Sequence, residues 1–91
     1  MPVTLTLPAV LSKLADGSRE IASAGQTVGE VINDIARRYP RLSPRLKDEQ
    51  GAPYPFITIY LNDEDIRLKG GFAAAERDGD ELTVVPAIAG G

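Results

Sequence analysis

The stretch from Thr27 to Tyr39 constrains the fold more than any other, because helical periodicity is sustained nowhere else in the chain. Val28, Val31, Ile32, Ile35 and Tyr39 fall at i, i+3, i+4, i+7 and i+11, one apolar stripe of a 3.6-residue period. Asn33, Asp34, Arg37 and Arg38 lie off the stripe and are expected in solvent. Thr27-Val28-Gly29-Glu30 reads as a capping box, with the Thr27 hydroxyl and the Glu30 carboxylate each taking a free backbone N–H. Pro40 stops the helix, since the residue before a proline avoids helical angles. One amphipathic helix cannot bury its stripe alone, so the remaining elements must supply the other side of the core.

Those elements read as strands. Val3-Thr4-Leu5-Thr6-Leu7 alternates apolar and polar residues, the period of a strand with one buried face. Pro8 ends it, and residues 9–16 form a connection that tucks Val10, Leu11 or Leu14 against the core. After the Asp16-Gly17 turn, Arg19 to Ala22 is a weak strand expected at a sheet edge. Residues 41–55, with Pro44, Gly51, Pro53 and Pro55, read as a long loop with one helical turn near Ser43 to Leu46. Phe56 to Leu61 is the strongest strand, being rich in aromatic and β-branched residues. Asn62 to Asp65 turns it, Ile66 to Leu68 is expected as a short strand, and Lys69-Gly70-Gly71 turns again. Phe72 to Glu76 is expected to make one helical turn, and Glu81 to Val85 is the last strand.

The order is strand, strand, helix, strand, short strand, strand. A single helix over one face of a mixed sheet is an α+β layout. In the β-grasp arrangement of such elements, the first and last strands lie parallel at the sheet centre. The expected division is a β-grasp domain over residues 1–86 and a flexible, extended Gly-Gly tail over residues 87–91.

Composition narrows the chemistry. The chain holds 91 residues, enough for one domain with a modest core. It has neither Cys nor His, which removes thiolate catalysis, iron–sulfur ligation and His-based proton relays, and leaves no expected metal site. A net charge of −3 with scattered basic residues argues against a nucleic-acid partner. No apolar run is long enough to span a membrane and no signal-peptide order is present, so the expected location is cytoplasmic.

With side-chain chemistry so limited, the end Pro86-Ala87-Ile88-Ala89-Gly90-Gly91 stands out. Glycine lacks a Cβ, so Gly90-Gly91 can enter a narrow channel and leaves the terminal carbonyl open to a nucleophile. Two terminal glycines arise by chance in roughly one chain in 200 at about 7% usage. A frayed, small-residue end is the ordinary explanation of Gly-Gly alone, and the rest of the chain decides against it.

Gly25-Gln26-Thr27-Val28-Gly29-Glu30, Leu61-Asn62-Asp63-Glu64-Asp65, Asp78-Gly79-Asp80-Glu81 and the Pro86-to-Gly91 end together resemble the ubiquitin-like sulfur carriers of the MoaD/ThiS family. The resemblance spans nearly the whole chain. Within the family it is nearest the CysO type, in Asn62 to Arg67, Gly70-Gly71 and the final six residues. It implies a carrier or co-substrate, not an enzyme. An E1-like enzyme would use ATP and Mg to adenylate the Gly91 carboxylate, the carrier binding no cofactor itself. A sulfur donor would convert the adenylate to a thiocarboxylate, and a biosynthetic enzyme making cysteine or another sulfur-containing metabolite would accept the sulfur.

The resemblance makes Gly91 the reacting residue, with Gly90, Ala89, Ile88 and Ala87 as the segment that partners grip. Strand alternation puts Tyr60 and Val85 on the outer sheet face, a candidate apolar docking patch beside the tail, although single surface apolars are common. The acidic groups Asp63-Glu64-Asp65 and Asp78, Asp80, Glu81 lack calcium-loop spacing and read as solvated turns. Two other functions stay open: a modifier joined to lysines through Gly91, itself modifiable at Lys13, Lys47 or Lys69, and a passive interaction module.

Overall fold

The computed structural model describes residues 2–86. Ala87, Ile88, Ala89, Gly90 and Gly91 lie outside the described residues. The chain forms β1 (Val3–Thr6), a short helix α1 (Ala9–Ser12), β2 (Glu20–Ser23), the long helix α2 (Val28–Arg38), β3 (Ile57–Leu61), β4 (Glu64–Asp65) and β5 (Glu81–Pro86). One five-stranded sheet has the order β2-β1-β5-β3-β4. β1 and β5 are parallel, with Leu5 beside Leu82, and every other pairing is antiparallel. This is the β-grasp arrangement, with the last strand at the sheet centre.

The core lies between α2 and one face of the sheet. Val28, Val31, Ile32 and Ile35 of the helical stripe are fully buried against Val3, Leu5, Ile21, Ile59, Leu61, Leu82 and Val84. Burying each such aliphatic side chain stabilises the fold by about 1.5–3 kcal/mol against leaving it in water. The capping box forms with one change: Thr27 Oγ1 accepts from Glu30 N at 3.2 Å, while Glu30 Oε1 accepts from Gln26 N at 3.3 Å, one residue before the cap. Tyr39, before Pro40, has left the helix at φ −127° and ψ 79°.

Two sequence expectations are corrected. Asp34 is not a freely solvated residue: its carboxylate accepts from Ser23 Oγ at 2.7 Å and pairs with Arg37 at 2.5 Å and Arg38 at 3.3 Å, tying α2 to β2. Arg38 also donates to the Ala22 carbonyl at 2.6 Å, which occupies an acceptor of the edge strand β2. The short strand is Glu64–Asp65, not Ile66 to Leu68, which is a 3₁₀ turn. Asn62, at φ +56°, lets the chain reverse within two residues, and its Oδ1 accepts from Glu81 N at 3.1 Å.

Residues 41–55 form the expected loop. A 3₁₀ turn does occur at Ser43–Arg45, but it carries fully buried Leu42 and Leu46 on either side. The segment is therefore a lid on the end of the core. Its later half is held by Asp48, whose carboxylate accepts from Gln50 N at 2.8 Å and Ala52 N at 3.0 Å, and by Tyr54 N donating to the Leu46 carbonyl. The helical turn expected over Phe72 to Glu76 is a 3₁₀ segment at Gly71–Ala73, and Ala74 to Glu76 are not helical.

Candidate functional site

β5 is central, yet its two flanks differ. β3 pairs with it from Leu82 to Pro86, the last pair being Ile57 with Pro86. β1 pairs only with Glu81 to Thr83. Past Thr83 β5 has no β1 partner, and α1 follows β1 in the chain. Val10 and Leu11 of α1 join Arg45, Tyr54, Phe56, Ile57 and Pro86 around a groove of about 220 Å³. The chain thus reaches residue 86 paired with β3 and bordering an apolar groove that Ile57 of β3 itself helps to line.

The two sheet faces at this end carry different side chains. Alternation places Thr4, Thr6, Thr58, Tyr60, Thr83 and Val85 on the face away from α2. Val85 is 41% exposed, opposite Thr58; Tyr60 is half-buried, opposite Thr83. Tyr60 and Val85 are therefore diagonal neighbours on adjacent strands, about 7–8 Å apart. Beside Tyr60, Asp65 pairs with Arg67 at 2.6 Å, and hydrogen bonds from the Arg67 side chain and backbone hold the Asp65 carboxyl below its ordinary pKa. The outer face carries four threonines, and its larger apolar side chains are Tyr60 and Val85.

Sequence reasoning missed the larger apolar exposure. Val10 is 63% exposed and Phe56 57%, and both line the groove with Pro86. The Phe56 ring meets Tyr54 edge-on, centroids 5.4 Å apart at 65°. Val10 was expected as a core candidate because its apolar character alone does not distinguish it from its neighbour Leu11, which is buried. Gly91, Gly90, Ala89, Ile88 and Ala87 were also named as site residues; they follow Pro86 directly and lie outside the described residues.

The acidic turns are engaged locally. Glu64 pairs with Lys69 at 3.1 Å, and the Asp80 carboxylate accepts from Arg77 N at 2.8 Å. Among the described residues, no group of three or more His, Cys, Asp or Glu is placed to hold a metal ion. Glu76 is the one acid of a different kind: it is only 8% exposed, and both carboxylate oxygens are buried without a hydrogen bond. Burial, then the charges of Asp80 and Glu30, push its pKa up to about 7. Of the expected lysine acceptors, Lys47 donates to Asn33 Oδ1 at 2.8 Å, Lys69 is paired with Glu64, and Lys13 is exposed.

Residues 5–91 match the ThiS family. The sulfur carrier protein CysO of Mycobacterium tuberculosis is 42% identical over 93 residues, covering all of both chains. The crystal structure of the Amycolatopsis orientalis BexX/CysO complex contains a chain that superposes with a TM-score of 0.89 at 40% identity, covering 98% of this chain and 99% of that one. The crystal structure of SAMP1 from Haloferax volcanii superposes with a TM-score of 0.82 at 28% identity, over the full length of both chains.

Proposed function

Since the chain belongs to the ThiS family, with a full-length relative that is a sulfur carrier protein, we propose that it carries sulfur as a thiocarboxylate on Gly91. A carboxylate is a poor electrophile. In the proposed cycle an E1-like enzyme holds ATP and Mg, a Gly91 oxygen attacks the α-phosphate, and pyrophosphate leaves. Sulfide sulfur then attacks the acyl carbon of the adenylate and AMP departs, leaving the thiocarboxylate. The carrier needs no catalytic side chain for either step, and having no Cys it cannot trap the adenylate as an internal thioester.

The observation that carries this reading is the position of β5. A central strand, paired on both sides and rooted in the core, leads without interruption into residues 87–91. A partner that recognises the domain therefore receives the tail at a defined origin. The acceptor enzyme, in cysteine formation or in making another sulfur-containing metabolite, would use the same origin.

The test is alkylation. The chain is incubated with the E1-like enzyme of its own cell, ATP, Mg and sulfide, then treated with iodoacetamide. Because it has no Cys, rapid labelling at neutral pH that maps to Gly91 is the expected result. No adenylate and no label with any activating enzyme of that cell would refute the proposal. The likeness to SAMP1, a small archaeal modifier protein, supports a second reading, in which the Gly91 adenylate is passed to lysines; conjugates of high mass that vanish when Gly90 and Gly91 are deleted would distinguish it.

A further inference from the structure

We infer that the groove beside Pro86 is a docking determinant for the enzyme that adenylates Gly91, with Val10 and Phe56 as its anchors. The inference rests on the carrier reading and adds the surface by which the carrier is recognised. Five residues follow Pro86, and at 3.3–3.6 Å per residue they reach about 17 Å when fully extended. Adenylation requires the carboxylate to sit beside ATP in a water-excluded site. A tail of that reach delivers the carboxylate only if the enzyme's surface closes within about 17 Å of Pro86. What flanks Pro86 therefore lies near the enzyme in that complex.

The surroundings of Pro86 are apolar: Val85 precedes it on the outer face, and Val10, Leu11, Phe56 and Ile57 line the groove with it. Val10 and Phe56 together expose more apolar surface than Val85, and Phe56 is already braced by Tyr54 at 5.4 Å. An aromatic anchor with little rotamer freedom to lose is the kind of residue that concentrates binding energy. Exposed Arg45 at the groove edge suits a carboxylate on the facing rim. The partner that fits is thus an enzyme whose channel mouth is apolar with an acidic residue at its edge. The activating enzyme is the occupant because both functional readings, sulfur carriage and conjugation, require it.

The experiment compares wild type with Val10→Ser, Phe56→Ser and, as control, Leu68→Ser, a residue 84% exposed and outside the groove. Circular dichroism first confirms that each variant is folded. ATP–pyrophosphate exchange is then measured against carrier concentration. Val10→Ser and Phe56→Ser are expected to raise KM, lowering kcat/KM roughly 10- to 100-fold with kcat nearly constant; Leu68→Ser is expected to match wild type. Two different elements carry the anchors, so misfolding of one variant leaves the other as the test. Wild-type kcat/KM in both anchor variants would overturn the inference while leaving the carrier reading intact. A rise would instead place the chain's own tail in the groove. Unchanged adenylation with slower sulfur delivery would place the acceptor there, and loss of a dimer on gel filtration would place a second copy there; each also overturns it. Failure of the wild type to be activated at all would remove the carrier reading and the inference together.

Discussion

Replacing Glu76 with Leu is expected to stabilise the protein, and to do so more at high pH than at low. The Glu76 carboxylate is buried with no hydrogen bond to either oxygen, and its pKa is raised from 4.5 to about 7. Each pKa unit corresponds to about 1.4 kcal/mol, so ionising Glu76 inside the fold costs about 3 kcal/mol. Below pH 4.5 the group is neutral in both states and this cost is absent. As pH rises from 4.5 towards 7 the unfolded chain gives up a proton that the folded chain retains, and stability falls. Above pH 7 the group is ionised in both states and the whole cost is present. For 91 residues total stability is of the order of 5–14 kcal/mol, so this one carboxylate takes a large share. Leu has a similar volume and nothing to ionise. Thermal unfolding followed by circular dichroism at pH 4 and pH 8 should show the Tm gap between Glu76→Leu and wild type widening by roughly 12–24 °C, at 4–8 °C per kcal/mol. A gap of the same size at both pH values would refute the reasoning, because it would mean that Glu76 ionises in the fold as easily as in the unfolded chain.

Gly29→Ala should destabilise by about 1–2 kcal/mol in urea unfolding, against the usual gain from alanine in a helix, because the new Cβ would sit 3.0 Å from the Phe72 carbonyl oxygen and 3.1 Å from its Cβ. Leu46→Ala should cost about 2–5 kcal/mol in the same assay, since Leu46 is fully buried; a loss under 0.5 kcal/mol would show that residues 41–55 do not help close the core. Tyr60→Glu combined with Val85→Glu should leave the circular dichroism spectrum unchanged and slow adenylation by the E1-like enzyme; an unchanged rate would exclude the outer face from that contact.

Local pattern and long-range packing had separate parts in this protein. The stripe Val28, Val31, Ile32, Ile35 and the alternation of Val3, Leu5 and Leu7 determined helix, strand and buried face from sequence alone, because each pattern repeats within one element and is set by backbone geometry. The helix stop at Pro40 and the edge position of the second strand were equally legible. The family resemblance, carried by short motifs in a set order, pointed to the chemistry of the tail, which side-chain pattern alone does not specify. Tertiary structure decided the rest. Leu42 and Leu46 lie in a segment without periodicity, and they are buried only because the chain folds that segment over the end of the core. Glu76 follows a turn like any solvated acid, yet pairing of Ala75 with Thr27 and of Glu76 N with the Gln26 carbonyl draws it inside. Val10, Phe56 and Pro86 are separated by tens of residues, and only the folded chain brings them around one groove. Such meetings depend on contacts distant in sequence, which no local period records.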